Sequence, residues 1–192
     1  MKRKFMVVEN FFGNFEQIKD EFKEIPRYSY YNHPFIKPKL EEMKEKQKET
    51  GQGYFWPGAR SEDLKKGNRF LTALFLKEFE HKMGGFFHEK LSFMIYTHLR
   101  LDNDKAQDFP HKDSPDSIYS LLVYLSDTNL KSGTRLYDDV GNEVADIKFV
   151  QNRAIIFSSE YTHEAINNHG TDQNNGRLTL NVFWNDRNNM EN

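Results

Sequence analysis

The sequence predicts an α+β fold that is mainly β, with helices from the first half packed on one face of an antiparallel, barrel-like double sheet. Three observations predict it. Phe and Tyr number 17 and 9, and aromatic side chains favour pleated, half-buried surfaces. Apolar residues recur at helical spacing early in the chain, then give way to alternating or β-branched runs. At 192 residues and 37% hydrophobic, the chain suits one domain around one core.

The elements follow in order. Phe5 to Val8 reads as a short strand, and Asn14 followed by Gln17 reads as a capping box opening a helix with Phe15, Ile18, Phe22 and Ile25 on one face. Lys37 to Thr50 is dominated by Lys and Glu with almost no apolar stripe, as in a solvated helix or a mobile excursion. Gly51 to Gly58 breaks regularity. Ser61, with Glu62 and Asp63 in the first turn, starts a second amphipathic helix carrying Phe70, Leu71, Leu74, Phe75 and Phe79, which Gly84 and Gly85 end. Strands are expected at Leu91 to Leu101, Ile118 to Leu125, Thr134 to Tyr137, Asp146 to Val150, Ala154 to Phe157 and Arg177 to Trp184. No repeat or linker divides the chain. The expected organisation is a single domain over 1–192, with helical support and a substrate wall in 1–90, the β core in 91–184 and a frayed Asn-rich tail in 185–192.

Charge and composition exclude several classes. With 27 basic and 29 acidic residues the formal charge is −2, so no basic surplus points to nucleic acid. The absence of cysteine removes disulfides, thiolate metal sites and cysteine nucleophiles. Glu9 and Asn10 cut the early apolar run too short for a signal peptide, and no segment is apolar for long enough to span a bilayer. The expectation is a cytoplasmic protein acting on a small molecule or peptide, with no clear signal for a nucleic-acid or membrane partner and nucleic acid unsupported rather than excluded. Nothing in the sequence sets an oligomeric state.

The chemistry concentrates in the second half. His111 and Asp113 stand two apart, so in extended backbone both side chains reach one ion. An HxD triplet alone is a poor signal in a chain with seven His. A third ligand raises it. His163 follows the apolar strand Ala154 to Phe157 after the polar turn Ser158 to Tyr161, whereas the rival His169 lies in the loop-like stretch Asn167 to Gly176. Two His and one carboxylate make the facial triad of non-haem Fe(II) sites. His33, His81, His88 and His98 lack a carboxylate at strand spacing and read as surface or substrate-side residues.

Parity on the last strand puts Arg177, Thr179, Asn181 and Phe183 on one face and Leu178, Leu180, Val182 and Trp184 on the other. The apolar face belongs under the helices. The polar face looks into the barrel or into solvent, and a buried Arg requires an anion because its guanidinium stays charged. Ser92 to Leu101 behaves alike, with Phe93, Ile95, Thr97, Leu99 and Leu101 against Met94, Tyr96, His98 and Arg100. An Arg-lined pocket beside a triad suits a dicarboxylate.

The ordered set His111, Asp113, His163, Arg177 and Thr179, spanning Leu91 to Trp184, resembles the 2-oxoglutarate and Fe(II)-dependent dioxygenase superfamily. The stretch His-Lys-Asp-Ser-Pro at 111–115, followed by Leu-Val-Tyr-Leu-Ser at 122–126, is similar to prolyl hydroxylases of the hypoxia-sensing type. Ser132-Gly133-Thr134 resembles that family's Gly-Gly turn, and Ala154 to Glu164 its approach to the distal His. Two features depart from the pattern. The usual Tyr before the Gly-rich loop is replaced by Arg100 or His98, and the loop itself, Asp102 to Asp108, has no Gly.

The resemblance implies a double-stranded β-helix (jelly-roll, cupin-like) core in which His111, Asp113 and His163 are the catalytic metal ligands for Fe(II). It also implies that 2-oxoglutarate chelates the metal, that Arg177 pairs with its distal carboxylate, and that Thr179 and Tyr124 donate to it. With O2 as oxidant the products are succinate, CO2 and a hydroxylated substrate, hydroxylation being implied by the retained Asp113. Peptidyl proline is the substrate to which the likeness points. Tyr96, His98, Arg100 and, from the segment Trp56 to Arg60, Arg60 are the substrate-side candidates. Two other readings stay open. A cupin-type metal protein independent of 2-oxoglutarate has no use for Arg177, and a non-catalytic binding module using Tyr28 to Phe35 needs no iron.

Overall fold

Strand pairing arranges the chain into two antiparallel sheets. The structure is a computed structural model describing residues 5–50, 56–84, 91–104, 109–113 and 117–186. The strands are β1 (Phe5–Val8), β2 (Tyr28–Ser29), β3 (Ala59–Arg60), β4 (Leu91–Arg100), β5 (Ser117–Tyr124), β6 (Asn129–Tyr137), β7 (Glu143–Phe149), β8 (Ala154–Ser158), β9 (Thr162–Ile166) and β10 (Arg177–Asp186). The large sheet has the order β1-β8-β5-β10-β4-β3-β2 and the small one β7-β6-β9. Its helices are α1 (Phe15–Lys23), α2 (Leu40–Thr50), α3 (Leu64–Gly67) and α4 (Arg69–Met83). No helix among the described residues is long and apolar enough to cross a membrane.

The period-2 pattern divides the large sheet into two faces, each burying its own apolar cluster. On one face Leu178, Leu180, Val182 and Trp184 join Ile95, Leu121 and Val123 against Phe15, Ile18 and Phe22 of α1 and Leu71, Phe75 and Phe79 of α4. The Trp184 ring lies 4.9 Å from that of Phe79. On the other face Tyr124, Ile155 and Phe157 meet Leu136, Ile147 and Phe149 of the small sheet. Arg177, Thr179 and Asn181 of β10 and Tyr96, His98 and Arg100 of β4 share this second face, so they point between the sheets.

Several local expectations change. The capping box at Asn14 does not form: its side chain makes no capping hydrogen bond, and the Gln17 amide donates instead to the Asn14 carbonyl at 3.0 Å. Ile25 lies beyond the end of α1 yet stays buried. Ser61 does not start a helix, because its backbone and hydroxyl continue the edge pairing with Thr97. Asp63 caps α3 and Asn68 caps α4, each accepting a backbone N–H two or three residues on. Gly84, at φ 52°, ends α4 in the left-handed conformation. Phe70 faces solvent rather than the core. Lys37 to Thr50 is a 3₁₀ turn and then α2, with Glu41–Lys44 and Glu45–Lys48 pairs both at 2.7 Å.

β9 was not expected, and it places His163 in a strand directly after the turn that the sequence put at Ser158 to Tyr161. β6 begins at Asn129, and Ser132-Gly133-Thr134 is an irregularity within it rather than a turn. A Cβ on Gly133 would stand 2.4 Å from the Ile147 carbonyl oxygen, so close strand contact explains the glycine. Gly85, His88, residues 51–55, residues 105–108 of the expected loop, the Ser114-Pro115 pair and the tail from 187 lie outside the described residues.

Candidate metal centre

His111 and His163 are joined first by backbone. Each donates its amide to the carbonyl of the other, at 2.9 and 2.8 Å, which docks the segment carrying His111 and Asp113 against β9. The imidazoles then lie 4.5 Å apart between centroids. Nδ1 of His111 contacts the Phe109 carbonyl at 3.1 Å and Nδ1 of His163 the Tyr161 carbonyl at 3.4 Å. Both geometries suit a protonated Nδ1, which leaves each Nε2 lone pair for a ligand.

Asp113 completes the group. Its Oδ1 is 3.8 Å from His163 Nε2, and its Oδ2 accepts the Ser120 hydroxyl. Ser120 in turn contacts Ser159 at 3.4 Å, and Ser159 donates to Ser117 at 3.1 Å. This serine chain orients a carboxylate that would otherwise swing. Ligand atoms from His111, Asp113 and His163 all lie within 4.8 Å of one another, the one such group among the described residues. Burial pushes the His163 imidazole below its ordinary value, Asp113 pulls it back and His111 lowers it further. Two imidazole nitrogens and one carboxylate oxygen, each held from behind, form a donor set that fits Fe(II). His169 is elsewhere: its ring packs edge-on against Phe149 at 5.4 Å and its carbonyl accepts the Arg177 amide.

Arg177 is buried, so the polar face that strand parity groups looks into the interior and not into solvent. Its Nη2 donates to the Gly133 carbonyl at 3.2 Å and to the Thr134 hydroxyl at 3.4 Å, and its guanidinium lies over the Phe149 and Tyr124 rings. Tyr124 donates to Thr134 at 2.8 Å, and burial raises its phenol to about 12, so it remains a neutral donor. Thr179 donates to Asn181 at 2.7 Å. On β6, Thr134 pairs with Ala165 and Leu136 with His163. The Arg177-binding row therefore stands two residues, roughly 7 Å, from the His163 row. That leaves room for a short dicarboxylate between them.

The remaining candidates share this interior. Register sets Arg60 opposite His98, His98 opposite Thr179, Arg100 opposite Arg177 and Tyr96 opposite Asn181. Tyr96, His98 and Arg100 are all buried. Burial, Arg60, Arg100 and Arg177 hold His98 well below its ordinary value, although its Nε2–H donates to the Pro57 carbonyl at 2.6 Å. Three guanidinium groups thus act on one neutral imidazole, and the interior attracts anions.

Ser120 and Ser159 were not singled out from sequence, and Thr134 only as part of the Ser132-Gly133-Thr134 resemblance. Ser120 shares the parity of Tyr124 on β5, so extending the face test to that strand would have found it. The partnerships of Ser159 and Thr134 depend on pairing between strands distant in sequence and have no local signal.

No family model matches the chain, and no curated protein matches it. Solved structures do. A 2OG-Fe(II) oxygenase family oxidoreductase from Burkholderia pseudomallei aligns at TM-score 0.59 and 12% identity, over 94% of this chain and 84% of the other. HygX from Streptomyces hygroscopicus, solved with nickel and 2-oxoglutarate bound, aligns at 0.58 and 13%, over 96% and 83%. A prolyl hydroxylase from Trichoplax adhaerens, in complex with a hypoxia inducible factor peptide fragment, aligns at 0.52 and 13%, over 96% and 84%. The chain has the mainly β, two-sheet jelly-roll fold of the 2OG-Fe(II) oxygenases.

Proposed function

We propose that this chain is a single-domain 2-oxoglutarate- and Fe(II)-dependent oxygenase that hydroxylates an organic substrate with release of succinate and CO2. The carrying observation is that a buried Arg177 shares one barrel interior with the His111, Asp113 and His163 cluster. His111, Asp113 and His163 would hold the iron. When bound, iron and 2-oxoglutarate supply O2 activation and transfer of one oxygen atom to a C–H bond.

The protein's part is positional. Ser120 fixes the Asp113 carboxylate, and the Phe109 and Tyr161 carbonyls fix the imidazoles. Thr134 and the Gly133 carbonyl hold Arg177, whose guanidinium would pair with the distal carboxylate. Tyr124 and Thr179 are the neighbouring hydroxyls that help to seat it. Burial of this wall excludes water and strengthens the ion pair. The substrate is a small molecule or peptide. The peptidyl-prolyl option draws support from the likeness to the Trichoplax enzyme and from the 111–115 motif.

Succinate formation tests the reading. With Fe(II), ascorbate and 2-oxoglutarate under air, a panel of prolyl peptides, free amino acids and nucleic acids should contain a compound that stimulates succinate release, and His163→Ala should abolish it. Iron-loaded, folded protein that makes no succinate with any of them would favour the 2-oxoglutarate-independent metal protein.

A further inference from the structure

A second cationic site faces the interior from the edge of the large sheet. Arg60, on β3, packs its guanidinium against two rings, 4.7 Å from the Trp56 centroid and 4.8 Å from that of Tyr96. Its Nε is closed off from water and has no hydrogen-bond partner. The Trp56 indole N–H and the Tyr96 hydroxyl are likewise buried without one. Asn181 stands beside Tyr96 across the strand pair, with its Oδ1 accepting the Thr179 hydroxyl. Asp113 lies within the range at which its charge acts on both Arg60 and Tyr96.

Three unmet donors in one place are costly. A buried donor without an acceptor forfeits its hydration, and a guanidinium cannot relieve the cost by losing its proton. Ring contacts favour the cation but leave its in-plane Nε–H unsatisfied. What these groups lack is a planar oxyanion, and a carboxylate matches the guanidinium fork. If the co-substrate's distal carboxylate takes Arg177 and its 2-oxo acid end takes the metal, the anion at Arg60 belongs to a different molecule.

We infer that the substrate carries a carboxylate, which Arg60 receives with the Trp56 N–H and the Tyr96 hydroxyl beside it, so that the substrate is anchored next to the metal ligands. This rests on the oxygenase reading for the word substrate; the anion site itself does not. Arg60 is thus a specificity-determining residue, and the site selects acidic over neutral substrates of the same shape.

The test uses benzoate and its neutral analogue benzamide as probes. The protein is loaded anaerobically with Fe(II) and saturating 2-oxoglutarate, so that Arg177 is occupied, and binding is read from tryptophan fluorescence and from the charge-transfer band. Benzoate is expected to bind and benzamide not to. Arg60→Gln should weaken benzoate by about tenfold or more while 2-oxoglutarate affinity stays within about threefold. Arg60→Lys should fall between, and Tyr96→Phe, which removes only a hydroxyl, should weaken benzoate without loss of fold. Equal binding of the two probes, or equal loss of benzoate and 2-oxoglutarate in Arg60→Gln, would overturn the inference. If no band forms but benzoate binding follows Arg60 and survives Arg177→Leu, the anion site stands and the oxygenase reading fails.

Discussion

Arg177 and His98 are neighbours on the same wall with opposite roles for charge. Arg177 keeps its charge, and removing it should cost the co-substrate a charge-assisted pair worth about 3 kcal/mol, on the order of a hundredfold in affinity. Arg177→Ala is therefore expected to weaken 2-oxoglutarate binding by that factor and Fe(II) binding little, as separate titrations would show; equal losses would make Arg177 structural. His98 is buried as the neutral form, its folded value depressed by burial and by Arg60. Above the ordinary value near 6.5 both folded and unfolded states are neutral and the residue contributes no pH dependence. As pH falls through that value the unfolded chain takes up a proton that the folded one refuses, and stability is lost. His98→Gln should flatten the fall in melting temperature between about pH 7 and pH 5; an unchanged acid limb would assign it to other groups.

Strands show how the site is built and how much of it could be read from sequence. Parity grouped Arg177, Thr179 and Asn181 of β10, and Tyr96, His98 and Arg100 of β4, on shared polar faces, because a buried apolar face fixes a strand's register, and the structure turns those faces inward. The helix starts and β9 were misread for a physical reason. Asp63 and Asn68 outcompete Ser61 as caps because Ser61 is recruited to pair with Thr97, and such long-range pairing leaves no local trace. β9 is short and polar, and it exists because β6 lies beside it. Gly133 links element to site, since its carbonyl holds Arg177 and its missing Cβ lets β7 approach. Gly133→Ala should cost about 1–3 kcal/mol by overpacking and also lower 2-oxoglutarate affinity. Chemical denaturation and ligand titration check the two effects, and a stability loss without an affinity loss would separate the bulge from the site.

At the scale of the whole molecule the proposed metal position lies where the two sheets are tied together. His163 belongs to the small sheet, while Asp113 is anchored through Ser120 to the large one. A bound ion would hold them as a cross-link and stabilise the folded state by mass action. A metal present at about a hundred times its Kd should add about 2.7 kcal/mol, a rise on the order of 5–10 °C in melting temperature that Asp113→Ala removes. The helices buttress the opposite face, so Phe75→Ala should cost about 3–5 kcal/mol without altering metal affinity per folded molecule. The most direct test of the whole account is the visible spectrum of the protein under anaerobic conditions as Fe(II) and then 2-oxoglutarate are added. A metal-to-ligand charge-transfer band that appears only with both, and is lost in His163→Ala, is the predicted result; folded protein that binds iron yet shows no band at saturating 2-oxoglutarate would contradict it.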